Sequence, residues 1–258
     1  SPELESFPGD DAGYLDKRGS DKGFNNWASR NVHPHRAPGY AAVTLSLKPN
    51  AVAPGDISAE QLEAAADLAE QYSLGEIRST HYQNLVLPYV RQKDLYELWH
   101  KAREAGFATP NIGLLSDMIC CPGGDFCSLA NAKSIPIAQS IQEQFDNLDY
   151  PYDIGELELN ISGCMNACGH HHIGHIGILG VDKKGEEFYQ VSLGGKSGRD
   201  AAIGKILGPS FAANQMPTVV QKLIDVYLEH RTPEERFIDT YERIGMDPFK
   251  ERVYAADH

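Results

Sequence analysis

An α+β protein in two parts is what the sequence predicts, on three observations. Residues 40–110 order their patterns as β-α-β-β-α. Residues 111–258 alternate glycine-rich turns with strand patterns and end in two helical ones. All five cysteines fall between Cys120 and Cys168. The first order is that of a ferredoxin-like half-domain, and the second reads as an α/β domain carrying the chemistry.

The elements follow in chain order. Residues 1–39, rich in Gly, Pro, Asp, Asn and Arg without a sustained period, read as an extended N-terminal arm. From Ala41 to Leu47 the odd positions are all apolar, as in a strand with one buried face. Ser58 and Gln61 have the spacing of a capping box, with Ile57 and Leu62 placed as a hydrophobic staple. Leu62, Ala65, Ala66, Ala69 and Tyr72 then share a helical face that Gly75 ends. Glu76–Thr80 and Leu85–Leu87 are short strand patterns. Lys93–Ala105 is a helix with Leu95, Leu98, Trp99 and Ala102 inward and Gly106 as its stop. Further on, Ser128–Phe145 is a helical pattern that Pro136 kinks or restarts. Glu156–Ile161, Ile173–Val181 and Glu187–Leu193 are strands, and Thr218–His230 and Pro233–Arg243 are helices.

Composition narrows the function. The 258 residues are 41% hydrophobic and 23% charged, the balance of a globular protein with a core. A net charge of −13 counts against a nucleic-acid or anionic-membrane binder, both of which need clustered positive charge. No apolar run nears the roughly 20 residues of a membrane span, and no N-terminal segment reads as a secretory signal. Five cysteines, an odd count, are too few for a disulfide scaffold; the expectation is a cytoplasmic protein whose cysteines remain thiols or bind metal. The chain begins Ser1-Pro2 without methionine, which reads as a piece of something longer.

Four cysteines form two pairs. Cys121 and Cys127 are separated by five residues, in Cys-Pro-Gly-Gly-Asp-Phe-Cys. Cys164 and Cys168 are separated by three, in Gly-Cys-Met-Asn-Ala-Cys-Gly. Four thiolates from two loops enclose one metal ion or an iron–sulfur cube, and Gly123, Gly124, Gly163 and Gly169 let backbone approach a bulky group. Three readings stand side by side: unligated thiols, structural zinc assisted by the histidines from His170 to His175, and an iron–sulfur cluster. The five-residue gap is wide for zinc and suits the cube better.

The paired pattern Cys-x5-Cys and Gly-Cys-x-Asn-x-Cys-Gly resembles the signature of sulfite and nitrite reductase haemoproteins. Gly75-Glu76-Ile77-Arg78-Ser79-Thr80-His81-Tyr82-Gln83-Asn84-Leu85 is similar to the second copy of that family's Arg-x-Thr-x-x-Gln-Asn segment. Gly23–Trp27, Asn31–His35, Ser192–Gly195 and Glu235–Tyr241 extend the resemblance over nearly the whole chain. It is nearest to the haemoprotein component of bacterial assimilatory sulfite reductases.

The resemblance implies a 4Fe–4S cluster and sirohaem, with residues 111–258 as the domain that binds them. Cys121, Cys127, Cys164 and Cys168 would hold the cluster, and Cys168 would also bridge to the sirohaem iron. Asn166 would lie beneath the macrocycle, against the alternative of a turn residue with positive φ. Arg78, Gln83 and Asn84 would meet the sirohaem carboxylates, against the alternative for Arg78 of a solvated strand-end cation. Cys120 falls outside the spacing and reads as a packed thiol, and the His170–His175 run as packing or surface rather than a proton source. The implied partners are sulfite or nitrite, a ferredoxin or flavoprotein electron donor, and an N-terminal half bearing the basic substrate pocket. No residue here inherits that pocket, so no catalytic residue is assigned.

Overall fold

The computed structural model describes residues 3–145 and 149–255. Contacts divide the chain into two compact units, Ser1–Pro49 with Gly55–Ile112, and Asn50–Pro54 with Gly113–His258.

The first unit starts differently from the sequence expectation. Residues 1–39 are not an extended arm: α1 (Ala12–Ser20) and α2 (Lys22–Asn31) precede a short strand, β1 (Val32–Pro34). Phe24, Trp27, Ala28 and Asn31 recur at helical spacing and are all buried, and the Asp21 carboxylate caps α2 by accepting from the Phe24 amide at 3.0 Å. The Gly- and Asn-rich surroundings mask that stripe in the sequence. Strand β2 (Tyr40–Leu45), helix α3 (Ala59–Tyr72), strands β3 (Arg78–Ser79) and β4 (Leu85–Arg91) and helix α4 (Leu95–Glu104) follow. The antiparallel sheet runs β1-β2-β4-β3.

The Ser58 capping box forms in both directions, 3.2 Å from the Gln61 amide to Ser58 Oγ and 3.1 Å from the Ser58 amide to Gln61 Oε1. The face behind it is shifted from the expected one. Ala65, Leu68, Ala69 and Tyr72 are buried, whereas Leu62 and Ala66 are exposed. Strand β4 also runs through Pro88 instead of stopping at Leu87. Its register against β2 slips between Ala41 and Val43, opposite Pro88, so the missing N–H falls at an irregularity of the ladder. Helix α4 buries Leu95, Leu98, Trp99 and Ala102, the four residues expected.

The second unit is a mixed sheet ordered β10-β8-β7-β6-β5: β5 (Ile119–Cys120), β6 (Leu159–Ser162), β7 (Ile176–Lys183), β8 (Glu186–Leu193) and β10 (Phe211–Ala212), with β9 (Lys205–Ile206) also paired to β8. β5, β6 and β7 are parallel and β8 runs against β7. Helices α5 (Ile135–Gln144), α6 (Asp149–Ile154), α7 (Met216–His230), α8 (Phe237–Ile244) and α9 (Asp247–Tyr254) complete the unit. Met216, Val220, Leu223 and Ile224 of α7 join Ile137 and Ile141 of α5 and Ile161, Ile178 and Val191 of the sheet in one core. The helix read over Ser128–Phe145 is only its second half. Pro136 sits in the first turn of α5, where its lost N–H costs nothing, and the residues before it form a loop.

Candidate metal centre

Parallel register brings the two cysteine loops together. Cys120 lies opposite Ile161, so the chain leaving β5 and the chain leaving β6 emerge side by side at the carboxyl ends of their strands. The Cys121 amide donates to Ile161 O at 3.1 Å, and the Gly163 amide donates to Cys121 Sγ at 3.0 Å. Gly163 O in turn accepts from the Asn131 and Ala132 amides at 2.9 and 3.1 Å, tying the loop that carries Cys127 to the one that carries Cys164. Within the second loop the Gly169 amide donates to Ser162 Oγ at 3.1 Å.

Two glycines are required by close approach. A Cβ on Gly163 would stand 2.7 Å from Ala132 O and 2.9 Å from Gly123 Cα, and one on Gly169 would run into Ile161 O. The backbones of both loops are thus pressed together around the thiols.

Each loop supplies one inner and one outer sulfur. Cys121 and Cys164 are buried, Cys127 is half-buried and Cys168 is exposed; all are free thiols. Around the outer pair, Phe126, Leu129 and Met165 are exposed apolar side chains, Phe126 and Met165 each at 80%. Sequence reasoning did not single out this rim, nor Ser134, whose Oγ lies 3.4 Å from Cys121 Sγ. Among the described residues no three His, Cys, Asp or Glu side chains are grouped as a single metal ion would need. The side chains that the two loops bring to this end of the sheet include sulfur donors, with an amide directed at Cys121 Sγ; all-sulfur ligation is the chemistry of iron–sulfur clusters.

Other expected residues fall elsewhere. Cys120 is buried in the core of the second unit, its Sγ 3.2 Å from Cys121 O, as a packed thiol. Asn166 is exposed, and the positive φ expected there belongs instead to Ala167 (57°) and His170 (53°). His171 and His175 are buried, and burial pushes both down to about 4, with the charge of His172 adding to it for His171 and that of Arg236 for His175. Both therefore stay neutral at pH 7. His175 Nδ1 accepts from the Glu158 amide at 3.1 Å, at the opposite end of β6 from the cysteines, so this histidine is no zinc partner for them.

In the first unit, Arg78 is exposed, pairs with Glu76 and donates to the Tyr89 hydroxyl at 2.9 Å. It lines a cavity of about 300 Å³ with His35, Arg36 and Pro88. Gln83 takes a positive φ of 56°, and Asn84 is buried, its Oδ1 accepting from the Leu47 amide at 3.1 Å. Asn84 thus ties the β3–β4 turn to the end of β2.

No described helix is long and apolar enough to cross a membrane. Comparison with known proteins matches residues 114–257 to the nitrite and sulphite reductase 4Fe-4S domain and residues 33–105 to the nitrite/sulfite reductase ferredoxin-like half domain. The chain is 30% identical to a ferredoxin–nitrite reductase of Synechococcus elongatus, over 77% of this chain and 39% of that protein. An assimilatory-type sulfite reductase of Nitratidesulfovibrio vulgaris is 24% identical over 77% of this chain and 88% of its own length. The structure of the Mycobacterium tuberculosis NirA protein superposes with a TM-score of 0.66 at 26% identity, covering 84% of this chain and 42% of the other. The chain thus spans about two-fifths of the first of these relatives and nearly all of the second.

Proposed function

Because the chain belongs to the nitrite and sulfite reductase family, whose cofactors are a 4Fe–4S cluster and sirohaem, we propose that it is the cluster-bearing part of a sirohaem enzyme reducing sulfite to sulfide. Cys121, Cys127, Cys164 and Cys168 ligate the cube in this reading, with Cys168, the exposed one, facing the sirohaem. The observation that carries it is the hydrogen bond from Gly163 to Cys121 Sγ, at the junction of two loops that hold the four thiols. When bound, the paired groups supply single electrons to the substrate-bearing iron, in a reduction that consumes six.

The chain's own residues do the rest. The Gly163 amide donates to the Cys121 sulfur and so orients it as a ligand. Cys121 and Cys164 would anchor the cube from the buried side of the two loops, and Phe126, Leu129 and Met165 give those loops an exposed apolar surface. Asn166 is an exposed residue of the second cysteine loop and would meet the macrocycle; Arg78 and Gln83 are assigned to its carboxylates by the family resemblance alone. Asn84 acts in this scheme by holding the turn that presents Gln83.

Nitrite is the alternative substrate, favoured by the identity to the ferredoxin–nitrite reductase, whose name also points to ferredoxin as electron donor over a flavoprotein. The cationic side chains that grip either anion belong, in our reading, to an N-terminal half of the enzyme outside this chain. The extent of the match to the assimilatory-type sulfite reductase favours the contrary reading, a unit of this size acting by itself. Anaerobic loading of the chain with iron, sulfide and sirohaem tests both levels. About four iron and four sulfide per chain, with visible absorption, supports the cube; one zinc and a colourless solution overturns it. Sulfide release from sulfite by the loaded chain alone overturns the need for another half, and ammonium from nitrite at a higher rate overturns sulfite as substrate.

A further inference from the structure

A polar cavity lies in the second unit, at the end of its sheet away from the cysteine loops. It has a volume of about 330 Å³ and is lined by Glu158, His175, Lys196, Ser197, Arg199 and Asp200, with Arg236 beside them. Glu158 immediately precedes the four-residue β6 and Gly163 immediately follows it, so five Cα-to-Cα steps, about 16 Å at roughly 3.3 Å each, separate the cavity from the cysteine loops. The volume is in the range of small-molecule sites, at or above about 300 Å³.

The polar groups of this cavity are unevenly matched. Lys196 is held by Glu242 at 2.6 Å, and Arg236 by Asp239 at 2.8 and 2.9 Å. Arg199 and Asp200, by contrast, form no hydrogen bond or ion pair among the described residues. His175 is only 6% exposed. Its Nδ1 accepts the Glu158 amide, which leaves the proton on Nε2. Nε2 has no hydrogen-bond partner among the described residues, and it is not among the fully enclosed unpaired atoms, so it opens into the cavity. On the floor, burial raises the Glu158 carboxyl above its ordinary range, and Ser197 Oγ stands 3.5 Å from its Oε1.

We propose that this cavity binds a small zwitterion of the α-amino acid class, its carboxylate held by Arg199 and the His175 N–H and its ammonium by Asp200 and Glu158. The His175 N–H is buried and the Glu158 carboxyl half-buried, so an ion of one sign would leave one of them unmatched, at a desolvation cost. A ligand with both charges two bonds apart satisfies both sides at once. The site shares no residue with the cysteine loops, so its test is separate from that of the cluster.

Isothermal titration calorimetry of the purified full chain with glycine, L-alanine and L-glutamate, against acetate and methylamine, tests the proposal. The expected result is saturable binding of at least one amino acid, with neither single-charge probe binding comparably. Arg199→Ala and Asp200→Ala both replace exposed side chains, so an unchanged melting temperature reports intact folding. Each should weaken binding by about tenfold, equivalent to about 1.4 kcal/mol. Absence of saturable heat with all three amino acids, undiminished affinity in both folded variants, or acetate binding as tightly as L-alanine would overturn it.

Discussion

The Gly163 backbone amide donates to the Cys121 sulfur at 3.0 Å, while the Gly163 carbonyl accepts two amides from the loop bearing Cys127. One residue therefore holds both cysteine loops, and its lack of a side chain is what lets Gly123 and Ala132 close over it. Gly163→Ala should lower the iron content of the loaded protein and cost about 1–3 kcal/mol in urea unfolding, the range for forcing extra atoms into packed structure. A variant with wild-type iron and stability would show that the junction has room to spare.

The five thiols should separate into two classes. Serine at Cys121, Cys127, Cys164 or Cys168 is expected to abolish the visible absorption of the cluster. Cys120→Ala should keep it and cost about 1 kcal/mol, because its sulfur packs in the core and only a small group is removed. Iron analysis across the series reads this directly; loss of iron in Cys120→Ala with retention in Cys127→Ser would reassign the ligands.

Acid should weaken the fold well before the carboxylates titrate. His171 and His175 are held down to about 4 in the folded chain against an ordinary 6.5, chiefly by burial. Between those values the unfolded chain binds more protons, so stability falls as pH drops from about 6.5 towards 4 and is unaffected above that window. For His175, Arg236 and Lys196 add to the effect while Asp239 and Glu242 oppose it. Glu158, raised by burial, works in the opposite sense, and Glu235, lowered by Arg243, loses its contribution only as pH falls below its ordinary value. Urea midpoints at pH 7, 6 and 5 should decline, with a shallower slope in His175→Gln; a flat profile in the parent chain contradicts the assignment.

Trp27 and Leu62 should exchange the importance that their sequence contexts imply. Trp27 lies in the stretch read as an arm yet is fully buried, stacked near Phe24 at 5.8 Å between ring centroids, while Leu62 is 54% exposed. Trp27→Ala is expected to cost about 3–5 kcal/mol and Leu62→Ala less than about 0.5 kcal/mol, measured by chemical denaturation.

Local features were legible in the residues themselves. The capping box at Ser58 and the inward stripe of α4 each depend on neighbours within a turn or two, and each stands in the structure where its spacing put it. The helical stripe of α2 is equally local but hidden by turn-forming company, and the buried face of α3 differs from the expected one because alanines and Leu62 are compatible with either face.

By itself, then, the sequence determined that four thiols sit on two glycine-flanked loops, since that is a matter of covalent order. Only the tertiary structure decided that the loops share one end of a sheet, through the parallel pairing of Cys120 with Ile161. The same pairing turned Cys120 into the core, and tertiary packing sent His175 to the far end of β6. Register between strands some 40 residues apart is set by which side chains the core accepts, a long-range balance that no local period records.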